Sequence, residues 1–238
     1  MENMPRRTFL VFTAGAVMAP ANLFAEPKIA EVPTLLDHIL LGCSDLDRGI
    51  AFVEERTGVR PSFGGVHPGR GTQNALLSLG TRRYLEIIAP DPKQSTVQQY
   101  SVIRQLKKPR LIGWAAHPRD MQSLAAKLAQ SGIQVEGPTP GSRQRPDGRV
   151  LRWKALRLKD DHGGLLPFFI EWSADSVHPS VDAPKGCSLV HFQAVAREPG
   201  SLAKMTALLG LDLAITKGEE PLLIATIAGR EIQSTVTS

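Results

Sequence analysis

One order of elements, strand, helix and then three strands, can be read twice between residues 35 and 172. Leu35 to Gly42 is an apolar run suited to a buried strand, and Ser44 opens a helix with Leu46, Ile50 and Val53 at helical spacing, stopped by Gly58. Val59 to Val66 reads as a short strand broken by Gly64-Gly65, and Asn74 to Leu79 with Arg83 to Ala89 as a hairpin around Gly80-Thr81. After a polar linker at 91–109 the order returns. Leu111 to Ala116 is a strand, and Asp120 to Gln130 is a helix with Met121, Leu124, Ala125 and Leu128 on its apolar face. Ile133 to Val135 is a short strand and Pro138 to Gly148 a loop, before strands Val150 to Leu158 and Leu166 to Trp172. A single unit of this kind leaves a sheet face exposed, so two are expected to close over one concavity. The expected fold is α+β. Paired βαβββ units, at 35–89 and 111–172, form a concave, partly open sheet around a pocket.

A third stretch, 188–238, restarts the order with strand Leu189 to Val195, helix Ser201 to Leu209 and strand Leu222 to Ala228. It reads as a partial third unit packed on the same domain, because Ile232-Gln233-Ser234 carries no carboxylate to match the earlier fourth strands. The first 25 residues stand outside the fold. Arg6-Arg7-Thr8-Phe9-Leu10 leads into a short apolar run, Val11 to Met18, too brief to span a bilayer as a helix. This pattern reads as a twin-arginine export signal, with an ordinary secretory signal or an uncleaved N-terminal anchor as alternatives, and the mature protein is expected in the periplasm or outside the cell. Cys43 and Cys187 are the only cysteines and read as two separate buried thiols. The net charge of +5 is scattered, without a basic stripe interleaved with aromatics, so nucleic acid is not an expected partner. No stable membrane span is expected once the signal is removed.

Ionisable side chains inside apolar strands are costly unless they are paired, hydrated or bound to a cation. His38 shares the parity of Leu36 and Leu40, and Glu86 that of Tyr84 and Ile88. Tyr84-Leu85-Glu86-Ile87 matches Phe169-Ile170-Glu171-Trp172 of the second unit, which adds Glu171 to His38 and Glu86 as a candidate three-ligand metal set. The first-strand position of the second unit holds Trp114, which cannot ligate. The same residues also read as satisfied core or surface groups. His67 is a candidate acid or base in the run Gly64 to Thr72. Arg70, Arg143 and Arg145 are candidates for clamping an anion, and Asn74, Trp114 and Trp153 for contacting substrate. His191 repeats the place of His38 in the third stretch. Neither a nucleophile elbow nor a dinucleotide-binding glycine pattern is found.

Leu36-Asp37-His38-Ile39, the run Gly65 to Asn74, Tyr84-Leu85-Glu86, Arg145-Pro146-Asp147-Gly148 through Trp153, and Pro167 to Trp172 with His178-Pro179 together resemble the glyoxalase-like domain family. That family belongs to the vicinal-oxygen-chelate superfamily, with glyoxalase I, extradiol dioxygenases and bleomycin-resistance proteins. The resemblance spans about residues 35–215. It implies ligands on the first and fourth strands of paired units, here His38, Glu86 and Glu171, holding a divalent metal (Fe, Mn, Zn or Ni). It implies a lyase, isomerase or dioxygenase acting on a small oxygenated, anionic molecule, and a homodimer. The alternative function is metal-free binding or sequestration of a small molecule in the same concavity, with the tryptophans as its wall.

Overall fold

The computed structural model describes residues 31–94, 101–145, 147–230 and 233–238; the expected export signal lies outside them. The first unit consists of β1 (Leu36–Gly42), α1 (Leu46–Thr57), β2 (Ser62–His67), β3 (Thr72–Ser78) and β4 (Tyr84–Pro90). The second consists of β5 (Arg110–Ala116), α2 (Met121–Gln130), β6 (Val135–Gln144), β7 (Val150–Leu158) and β8 (Phe168–Trp172). Asp45, rather than Ser44, caps α1 by accepting from Arg48 N at 2.8 Å, and Gly58 ends the helix in the left-handed region at φ 68°. Gly49 lets α1 lie close to the sheet, since a Cβ there would fall 2.6 Å from both Cys43 Sγ and Ile87 Cγ2.

The two units join into a closed ring in the order β1-β4-β3-β2-β6-β7-β8-β5. The concavity expected to be partly open is therefore a barrel. Each unit has the internal order first, fourth, third, second strand, and antiparallel β1–β5 pairing joins them along one seam. The opposite seam is thin: β2 meets β6 only at Val66 and Gln144. Pro138 to Gly148, expected to be a loop, mostly belongs to β6. Its prolines survive in a strand because β6 is bonded along its length to β7 alone, with a register shift between Glu136 and Thr139.

Residues 188–238 supply β9 (Ser188–Ala196), α4 (Pro199–Leu209), β10 (Ala214–Lys217), β11 (Leu222–Ala228) and β12 (Gln233–Thr237). All five elements of a unit are present. Their order in the sheet, β10-β9-β11-β12, differs from that of the first two units, and the stretch forms a separate four-stranded sheet that contributes nothing to the barrel wall. Its apolar face joins the same core as the barrel: Phe192 of β9 packs edge-on against Trp114 of β5, with ring centroids 5.2 Å apart. His191 lies on this second sheet, opposite Thr226.

Register decides which side chains enter the bore. Parallel pairing sets Leu40 beside Glu86 in the first unit, and Ala115 beside Phe168 in the second. The chamber is lined by Tyr84, Glu86 and Ile88 from β4, and by Phe168, Ile170 and Trp172 from β8. Glu86 therefore corresponds to Ile170. The match to Glu171 is off by one residue, and in a strand one residue is the other face.

Candidate functional site

His38 is buried at the centre of β1, with Asp37 directly before it and fully buried. Asp37 collects three donors. His178 Nδ1 accepts from the Ser180 backbone N–H at 3.2 Å, so its Nε2 carries the proton and donates to Asp37 Oδ2, also at 3.2 Å. Trp172 Nε1 donates to the same carboxylate oxygen at 3.2 Å. His38 Nδ1 donates to Oδ1 at 2.8 Å. Burial alone would push the Asp37 carboxyl up. The hydrogen bonds from His178 and His38, with their charges, outweigh it and hold the group far below the usual carboxylate range. An ionised Asp37 thus holds the proton on His38 Nδ1 and turns Nε2 into the chamber.

Glu86 faces that nitrogen, with His38 Nε2 3.4 Å from Oε2. On the carboxylate's other oxygen, Asn74 Nδ2 donates at 2.7 Å and His67 Nε2 stands 3.7 Å away. Burial works against the charged form of Glu86. The facing histidines, the Asn74 hydrogen bond and the Arg143 charge more than offset it and lower its pKa. Burial pushes His67 down to about 4 against the pull of Glu86, so at neutral pH it is an uncharged imidazole with Nδ1 2.9 Å from Thr72 Oγ1. Of the two roles the sequence suggests for His67, acid or base, that burial disfavours the charged acid and leaves the neutral imidazole. Tyr84 stacks on His38 at 4.5 Å between centroids, and burial beside Glu86 and Asp37 keeps its phenol protonated.

Arg143 crosses from β6 into this unit and donates to Asn74 Oδ1 at 2.8 Å. The glycine pair of β2 makes its path: a Cβ on Gly64 would lie 2.5 Å from Arg143 Nη1 and from Asn74 Oδ1. Arg70 and Arg157 also line the chamber, with Trp153 and Trp172 in contact at 5.4 Å. Three arginines and one carboxylate, Glu86, thus line a space of about 50 Å³, room for roughly four water-sized groups. A model of the glyoxalase-like domain matches residues 36–210.

The chain belongs to the glyoxalase-like domain family. No curated protein matches it. Among solved structures, a hypothetical protein from Staphylococcus aureus is similar at TM-score 0.61 and 16% identity, covering 84% of each chain. Methylmalonyl-CoA epimerase from Mycobacterium tuberculosis has TM-score 0.42 and 21% identity over 64% of this chain and 94% of that one. The Streptomyces coelicolor epimerase, in complex with 2-nitronate-propionyl-CoA, has TM-score 0.42 and 24% identity over 61% of this chain and 99% of that one.

The glyoxalase-like pattern of ligands on the first and fourth strands of both units is half present here. The first unit supplies His38 and Glu86. The corresponding places in the second hold Ala115, opposite His38, and Ile170, neither able to ligate. Glu171 points outward, where its Oε2 accepts from Met121 N at the start of α2 at 3.2 Å and Oε1 lies 3.9 Å from Lys154. His67 does not replace it, being nearest the Glu86 oxygen that His38 does not face. Among the described residues no three His, Cys, Asp or Glu side chains are grouped to hold an ion. The donor set does not fit a divalent metal.

Two further expected residues lie outside the His38 chamber. Trp114 lies with Ile39 on the outer side of the sheet, its Nε1 donating to Leu165 O at 2.9 Å, and it lines a neighbouring cavity and not the His38 chamber. Arg145 is occupied at the rim by Asp182 at 2.5 Å and Asp147 at 3.3 Å. The chamber does gather His38, His67, Arg70, Asn74, Glu86, Arg143 and Trp153. Asp37, His178 and Arg157 were missed. An aspartate inside the apolar run Leu35 to Gly42 was a signal, since such a group needs buried partners. Cys43 and Cys187 are free thiols, and burial raises Cys43 to about 12.

Proposed function

We propose that this protein is an acid–base enzyme, a lyase or isomerase that moves a proton on a small oxygenated anion without a metal. The observation that carries the reading is the line Asp37–His38–Glu86, with the imidazole Nε2 facing a buried chamber lined by three arginines. His38 Nε2 takes a proton from the carbon beside a carbonyl or carboxylate, and the imidazolium formed is held between two carboxylates. Arg143, fixed by Asn74, stabilises the oxyanion left on the substrate, and Arg70 and Arg157 bind its charge. Return of the proton to the same or a neighbouring atom completes an isomerisation; loss of a leaving group completes an elimination.

The test is deuterium exchange from heavy water into a panel of 2-oxo and 2-hydroxy carboxylates, followed by NMR. At least one member exchanges at the carbon next to the carbonyl, and His38→Gln slows it at least about a hundredfold. Added Fe, Mn, Zn or Ni leaves the rate unchanged. Exchange in no member, or equal exchange in His38→Gln, removes the reading. A second reading, a metal-free binding protein, draws on the second unit's side of the chamber, where Trp153, Phe168, Ile170 and Trp172 offer contact and no chemistry. It is distinguished by a ligand that binds His38→Gln as tightly as wild type and is recovered unchanged.

We also infer export of the folded protein, on Arg6-Arg7 and the short apolar run after them. Lysine at both positions is expected to hold the precursor in the cytoplasm of a host with an intact twin-arginine pathway. Unchanged export of that variant removes the inference.

A further inference from the structure

The His38 chamber opens sideways. A second cavity, of about 240 Å³, lies between β5 and the segment entering β8, bordered by Ile112, Gly113, Leu158, Asp161, Leu166 and Pro167. Leu40, Arg157 and Phe168 line both cavities and form their shared partition. The opening follows from the topology. β8 begins only at Phe168 and pairs with β5 at Ala115 and Ala116, so the first half of β5 has no strand beside it on that side. Gly113 widens the gap, since a Cβ there would meet nothing within 4 Å.

The two cavities differ in chemistry and size. The His38 chamber carries the imidazole, the carboxylate and the guanidinium groups, but its volume admits only a few heavy atoms. The side cavity is larger, and its lining sets the apolar side chains of Leu40, Ile112, Leu158, Leu166 and Phe168 beside Arg157 and Asp161. The partition is made of side chains: the Arg157 guanidinium lies over the Phe168 ring, 4.7 Å from its centroid. A ligand spanning both spaces has to displace the Arg157 or Phe168 side chain.

We propose that the molecule bound here is elongated, with an anionic oxygenated head at His38 and Arg143 and an unbranched apolar tail passing Arg157 and Phe168 into the side cavity. The proposal rests on reading the His38 chamber as the anion site, and it adds what the rest of the molecule must be. A head group alone leaves the larger cavity, with its apolar side chains, to water. A tail that fills it removes apolar surface from water on both partners, by about fourfold in affinity for each buried methylene.

The experiment is calorimetric titration of straight-chain 2-oxo acids, from pyruvate to 2-oxodecanoate, into the full mature protein and two plugged variants. Ile112→Trp fills the cavity from the β5 side and Asp161→Trp from the surface; thermal melts confirm that each is folded. In wild type, affinity is expected to rise about threefold to fourfold per methylene. In the plugged variants the rise is lost while pyruvate binds as before. A flat series in wild type, or a rise that persists in both variants, overturns the tail placement and leaves the anion site standing. Failure of every acid to bind wild type overturns the anion site and the tail placement together.

Discussion

Asp37 sets the state of the chamber although it does not line it. Its three donors, His178, Trp172 and His38, come from the α3 cap region (α3, Pro179–Asp182), β8 and β1. Asp37→Asn keeps the shape and reverses the hydrogen bond to His38 Nδ1, which leaves the proton on Nε2 and removes the base. Proton exchange is expected to fall by roughly 10² to 10⁴-fold, with ligand affinity nearly unchanged; exchange kinetics beside titration of the same ligand check this. His67 gives the chamber a pH dependence. Its pKa is depressed from 6.5 to about 4 by burial, so the folded state binds its proton less readily than the unfolded chain. The stability it contributes is complete above about pH 6.5 and is lost as pH falls toward 4, on the order of 3 kcal/mol in all. Urea unfolding at pH 7 and pH 4.5 measures the loss, and His67→Gln is expected to flatten it.

At the scale of the element, strand parity separates the two glutamates that look alike in sequence. Glu86 is buried on the bore side of β4, whereas Glu171 is partly exposed beside the first turn of α2, where Asp120 also caps by accepting from Ser123 N. Glu171→Ala is expected to cost about 0.5–1 kcal/mol of stability through the helix N-terminus and to leave exchange activity unchanged. A melt and an exchange assay together check it. β2 is the counter-example of an element shaped for the site. Gly64→Ala puts a methyl group where Arg143 and Asn74 meet, so the variant is expected to lose at least tenfold in affinity for an anionic ligand while most of the fold survives. Titration of wild type and variant with one carboxylate measures this.

For the whole molecule, the barrel and the second sheet share one core. Trp114 and Phe192 are both buried at their junction, and the Phe192 ring has no solvent exposure. Phe192→Ala is expected to destabilise the protein by about 3–5 kcal/mol, measured by chemical unfolding. A single transition in that experiment shows that barrel and sheet unfold together; two transitions show that they are separate units. Among the described residues no helix is long and apolar enough to cross a membrane.

The local patterns in the sequence determined the units: the apolar run at 35–42, the helical spacing of Leu46, Ile50 and Val53, and the strand after each glycine turn all survive in the structure. They also marked His38, Glu86, Asn74, Arg70, Arg143 and Trp153, because ionisable or aromatic groups inside apolar strands and glycine-rich turns are visible locally. Three matters lay beyond that range. Whether the sheet closed depended on β2 finding β6 far along the chain, and a proline-containing strand was legible only once β7 was beside it. The partners of Asp37 arrive from residues more than a hundred positions away, His178 and Trp172 among them. The face shown by Glu171 was decided by register: propensity and spacing act over a few residues, whereas a strand's register is set by pairing with distant neighbours, and one residue of register reverses every side chain.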